Sequence, residues 1–157
     1  MTCRFIAALA AAATLAAGPA LAQTLEVGAY PANPPWEFKN EQSEFEGFEV
    51  DMVREIADRL GMELDISDLG FQALFAATSS GRIDVAISTI TITNDRLQNQ
   101  DFTQGYYDAD LSLVSIEGGV TGLDEMEGQP VGAIAASTGE AWINENMEEY
   151  GFSDYRS

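Results

Sequence analysis

The chain has no histidine, a single cysteine, and only seven lysine or arginine residues against 26 aspartate or glutamate residues in 157. Each shortage closes a class of function. Without histidine, the usual general base near neutral pH and the usual metal ligand are both missing. The one cysteine, Cys3, lies in a leader-like stretch, so the rest of the chain has no disulfide, no thiolate ligand and no thiol nucleophile. We therefore expect no catalytic residue, no metal and no cofactor. The shortage of cations disfavours nucleic acid and anionic lipid, because affinity for either comes from Lys and Arg neutralising phosphates. The acidity itself implies solubility rather than disorder, since hydrophobic residues make up 46% of the chain and suffice for a core.

What is present begins with a leader. Arg4 precedes an apolar run from Ile6 to Gly18, Pro19 breaks it, and Ala20-Leu21-Ala22 has the small-x-small form of a cleavage site. The run is shorter than the roughly 20 apolar residues needed to cross a bilayer, so residues 1–22 read as a secretory signal peptide cut after Ala22. Taking 22 residues from 157 leaves 135, with six basic residues against 26 acidic ones, a balance of −20. Export across the inner membrane to the periplasm follows.

Periodicity then orders the elements. Leu25 to Ala29 alternates as a strand and runs into a loop stiffened by Pro31, Pro34 and Pro35. Lys39-Asn40-Glu41 marks a hairpin tip. After Gly47, the residues Val53, Ile56, Ala57 and Leu60 fall at helical spacing and predict one buried stripe, ended by Gly61. Met62 to Ile66 reads as a strand, Phe71 to Ser79 as a helix, and Ile83 to Ile87 as a strand buried on both faces. Strands alternating with helices imply a parallel sheet covered by helices. Tyr107 to Ser115 is extended and apolar, suited to crossing towards a second lobe. Pro130 to Ile134 reads as a strand. Ser137 to Met147 reads as a helix opened by a capping box of Ser137 and Glu140.

The segment Ser88 to Thr93, Ser-Thr-Ile-Thr-Ile-Thr, follows the carboxyl end of a buried strand, the edge at which open α/β sheets bind ligands. If it is extended, Thr89 and Thr91 face one side, although β-branched residues also favour strands for their own sake. Arg96 follows, with Thr93 or Asn94 placed to cap its turn. A planar guanidinium can meet a carboxylate with two parallel hydrogen bonds; a surface ion pair is the plainer use of any Arg.

Six pieces in order now resemble one family, the extracellular solute-binding proteins for polar amino acids. They are Asn33-Pro34-Pro35-Trp36-Glu37-Phe38, Gly47-Phe48-Glu49-Val50-Asp51-Met52, Gly81-Arg82-Ile83-Asp84 after Phe71, the loop Ser88 to Arg96, Asp101-Phe102 with Tyr106-Tyr107, and Val131-Gly132 through Ser137-Thr138-Gly139-Glu140. Ala136 stands where the family usually has glycine.

The resemblance implies a two-lobed α/β fold of the type II periplasmic-binding-protein kind, here incomplete. Residues 23–110 would form the first lobe and 111–157 the start of the second. It implies a monomer that binds a small-molecule amino acid and delivers it to a permease and ATPase complex, an ABC importer, in the inner membrane. It places Arg96 on the ligand's α-carboxylate, Thr89 and Thr91 beside it, Ser137 and Thr138 at a helix N-terminus on the second lobe, and Phe71 and Trp36 as walls for the ligand side chain. Ser137 and Thr138 are equally explained as a plain helix cap, and aromatics are more often core.

The family's second-lobe carboxylate for the ligand amine has no match before Ser157. The chain reads as a truncated reading frame rather than a shortened homologue, and an unpaired sheet edge with an exposed apolar face is expected to weaken binding or favour aggregation. Two rival functions remain: a dehydratase-like enzyme on the same fold, for which Glu37 or Asp51 would have to act as acid, and the sensing module of a receptor. The ligand's identity stays open. The acidic field slightly favours cations. Tyr30, standing where relatives that select basic amino acids often carry a carboxylate, slightly disfavours them.

Overall fold

The computed structural model describes residues 23–157. The expected signal peptide and its expected cleavage after Ala22 lie outside the described residues.

The first sheet is built on β1, Thr24–Ala29, whose Leu25, Val27 and Ala29 are buried. Three short antiparallel strands follow: β2 (Ala32–Asn33), β3 (Glu37–Lys39) and β4 (Phe45–Glu46). The hairpin between β3 and β4 turns at Asn40–Glu44, closed by Asn40 Oδ1 accepting from the backbone N–H groups of Gln42 and Glu44. Sequence reading anticipates this hairpin but not the pairing of β2 with β3, since two residues after Pro31 carry no alternation to detect.

Helix α1 spans Phe48–Leu60 and ends at Gly61, whose φ of 68° lets its N–H bond back to the carbonyls of Ala57 and Asp58. Its buried face is Glu49, Val50, Val53 and Ala57; Ile56 and Leu60 are exposed. The stripe expected from periodicity is thus displaced. Two apolar rows share Val53, and the sheet takes the one that holds Ala57, whose small side chain lets the helix lie close.

Strand β5, Glu63–Asp68, and strand β6, Val85–Ile87, flank β1 in parallel, giving the order β5-β1-β6. Parallel neighbours need crossover connections, which α1 and α2 (Phe71–Ser79) supply. Leu74 and Ala77 of α2 pack with Ile83, while Val50, Val53 and Ala57 of α1 pack with Leu25, Val27 and Ile87.

Residues 99–115 carry no helix or strand. Beyond them, β7 (Pro130–Gly132) and β8 (Asp154–Arg156) pair in parallel, with α3 (Thr138–Tyr150) between them in sequence. Met126, Ile143 and Phe152 form the core of this part. Leu123–Glu125 makes a single helical turn. Among the described residues, no helix is long and apolar enough to cross a membrane.

Candidate functional site

The stretch after β6 decides the geometry at the carboxyl edge of the first sheet. It is not extended. Thr89 has φ 48°, in the left-handed region, so the alternation that would align Thr89 with Thr91 is broken at its first residue. The cause lies below the loop. Thr89 N–H donates to both oxygens of the Glu49 carboxylate, at 3.0 and 3.2 Å, and Thr89 Oγ1 accepts from Asn33 Nδ2 at 3.0 Å. A buried acceptor fixes the N–H direction, and the backbone turns to meet it.

Arg96 opens a short turn, Arg96–Gln98. Asp95 precedes it without a side-chain cap bond, and Thr93 Oγ1 accepts the Arg96 N–H at 3.3 Å. Gln100 anchors the turn to α2 by donating to Phe75 O and Ser79 Oγ. The guanidinium is half-buried. Its Cζ lies 4.9 Å from the Phe75 ring centre and 5.8 Å from that of Phe71. Nη1 donates to Thr91 O at 2.8 Å and Nη2 to Ala136 O at 2.9 Å. No carboxylate pairs with it among the described residues. Burial without an anion holds its pKa below the usual arginine value.

Arg96 thereby brings several expected site residues together. Phe71 stands beside it at the start of α2, and Thr91 meets it by carbonyl rather than hydroxyl. Ala136 leads directly into Ser137 and Thr138. Ala136 has φ 62°, a conformation that glycine takes without strain, which explains the family's usual glycine there. Ser137 is the cap of α3: its Oγ accepts from Glu140 N at 3.2 Å. Glu140 reaches back to the N–H of Ala136 at 2.6 Å, one residue earlier than a standard capping box. Thr138 is the first residue of α3 and half-buried.

Trp36 is not part of this group. Its ring centre lies 5.6 Å from Phe48 and 4.6 Å from Tyr107, in an aromatic cluster that also takes in Tyr106.

Beneath that cluster lies a feature that motif spacing did not reveal. Glu37 and Glu49 are both fully buried. Glu37 Oε1 accepts from Asn33 Nδ2 at 3.2 Å, and Tyr106 donates its hydroxyl hydrogen to Glu49 Oε1. Glu37 Oε2 is buried with no hydrogen-bond partner among the described residues. Burial, and then the neighbouring Glu49 carboxylate, push the Glu37 pKa up to about 9. Asp51, the other carboxylate weighed as an acid, is exposed and pairs with Arg54 at 2.7 Å.

Residues 25–121 match the sequence pattern of the bacterial extracellular solute-binding proteins, family 3. The chain belongs to this family. Among curated members, the L-cystine-binding protein TcyJ of Escherichia coli (strain K12) is 29% identical over 128 residues, covering 80% of this chain and 48% of its own length. The histidine-binding periplasmic protein of the same strain is 30% identical over 145 residues, covering 91% of this chain and 56% of its own. The chain spans about half the length of these relatives. Among solved structures, an ancestral arginine-binding protein bound to arginine superposes with a TM-score of 0.73 at 28% identity, covering 85% of this chain and 60% of that one. The α/β architecture is thus that of the type II solute-binding proteins, shared over part of their length. By name these relatives are binding proteins rather than enzymes.

Proposed function

We propose that this family member is the periplasmic substrate-binding component of an ABC importer for polar amino acids, with Arg96 as the clamp for the ligand's α-carboxylate. The observation that carries the reading is a half-buried guanidinium at the ligand edge of a parallel sheet with no anionic partner among the described residues. Such a cation is costly unless something supplies the missing charge. Two backbone carbonyls hold it in place and occupy two of its five N–H groups, so donors remain for a carboxylate. The Phe71 and Phe75 rings provide an apolar wall on one side.

In this reading Thr91, Thr89, Ser137 and Thr138 border the ligand's polar end, and Phe71 its side chain. Residues 23–110 act as the first lobe and 111–157 belong to the second. The bond from Arg96 Nη2 to Ala136 O spans that division. The permease and ATPase of an importer are the partners. Trp36, held among Phe48 and Tyr107, serves the connecting segment instead.

Calorimetric titration of the mature chain with the twenty amino acids and L-cystine tests the proposal. We expect saturable binding of at least one, weakened roughly a hundredfold in Arg96→Ala and partly restored in Arg96→Lys, since two charge-assisted hydrogen bonds are at stake. Unchanged affinity in Arg96→Ala removes the clamp from the mechanism.

A further inference from the structure

Among the described residues, Glu37 and Glu49 are the buried acids, and the proposed ligand chemistry uses neither. We propose that Glu49, with Glu37 as its buried neighbour, is a positioning pair that sets the backbone of the ligand-edge loop at Thr89 and ties it to the connecting segment at Tyr106.

Three elements converge on Glu49. The loop after β6 presents the Thr89 N–H to both carboxylate oxygens, the connecting segment presents the Tyr106 hydroxyl, and β3 presents Glu37. Asn33, on β2, closes the ring by donating to both Glu37 Oε1 and Thr89 Oγ1. Ser88, also buried, accepts the Tyr30 N–H on Oγ at 2.9 Å. Among the described residues, neither acid takes part in any ion pair.

With no ion-pair partner for either acid, burial and the neighbouring Glu49 carboxylate keep a proton on Glu37. Its Oε2 is buried without a hydrogen-bond partner, an environment that favours the neutral acid. The loop that Glu49 sets runs seven residues on to Arg96, so its backbone bears on the proposed clamp. The inference rests on the proposed ligand-binding role of that loop.

Amide hydrogen exchange in the ligand-free mature chain, followed by NMR, decides the matter without any ligand. Glu49→Gln is expected to lower protection of the Thr89 amide about tenfold, the scale of one charge-assisted bond, while Val27 and Val53 in the core keep theirs. Glu37→Gln keeps an oxygen to accept from Asn33 and a neutral side chain of the same shape, and is expected to leave Thr89 protected. Tyr106→Phe is expected to loosen the amides around Tyr106 and spare Thr89; this half-exposed site also provides a test should Glu49→Gln fail to fold.

Calorimetry with the same amino acids then reads the consequence. Affinity falls about tenfold in Glu49→Gln and not in Glu37→Gln. In the wild type it weakens as pH rises through about 9, and in Glu37→Gln it does not. Thr89 protection unchanged in Glu49→Gln, or lost equally in Glu37→Gln, overturns the inference, as does Tyr106→Phe with no loosening. A wild-type chain that binds none of the amino acids refutes the proposed function, and the exchange data still decide the pair.

Discussion

Glu37 carries a thermodynamic signature that can be isolated from the many surface acids. Its folded-state pKa stands near 9, above the ordinary glutamate value of 4.5 that it regains on unfolding. Between those values the folded chain holds a proton that the unfolded chain releases, so stability falls as pH rises. The contribution is complete below the unfolded value and is lost progressively up to about 9. Thermal melts from pH 5 to pH 9 are expected to show a declining Tm in the wild type and a flatter profile in Glu37→Gln. Parallel profiles would show that Glu37 is ionised in the folded state. At this scale the sequence was only partly readable. Arg96, Phe71, Ser137 and Thr138 could be singled out because local signals mark them: a lone cation after a threonine-rich strand end, and residues at helix starts. Glu49 gave no such signal. It occupies the second position of α1, where an acid is ordinary helix chemistry, and only the tertiary approach of Thr89 and Tyr106 gives it another role.

Elements written in strong periodicity were the most legible. The α2 boundaries match the expectation residue for residue, and α1 begins and ends at its two flanking glycines. Pieces without period were not: the two-residue β2 owes its existence to the strand it pairs with, and the threonine loop looked like a strand until its N–H groups had to find acceptors. The entry to α1 shows how tightly one position can be set. Gly47 has φ 127°, and a Cβ there would lie 2.2 Å from the Trp36 carbonyl oxygen. That carbonyl accepts the Glu49 N–H, so it cannot withdraw without uncapping the helix. Gly47→Ala is therefore expected to cost about 3 kcal/mol or more, combining backbone strain with a clash against fixed main chain. Urea denaturation measures it, and a loss below about 1 kcal/mol would mean the loop yields freely.

Two forces of opposite sense act on the molecule as a whole. The chain without its leader-like segment carries 26 acids and six bases, and four of those bases are already engaged in surface ion pairs at Lys39, Arg54, Arg59 and Arg156. Long-range repulsion between copies is correspondingly strong at low salt. Against it stands an apolar surface where the connecting segment passes the second core: Val114 and Ile116 are each 87% exposed and Leu111 58%, beside a groove lined by Val131, Trp142 and Ile143. Apolar patches of this kind favour association, and salt leaves that tendency intact while shortening the reach of the charges. Raising sodium chloride from about 0.02 M to about 0.5 M shrinks the Debye length from roughly 20 Å to a few ångströms. The monomer expected from the family resemblance should therefore hold at low salt and give way to self-association at high salt. Leu111→Ser combined with Val114→Ser should suppress the association without lowering Tm, because neither side chain contributes to a core. Sedimentation velocity at the two salt concentrations separates the cases: a single monomeric boundary at both would show that charge is not what keeps the copies apart.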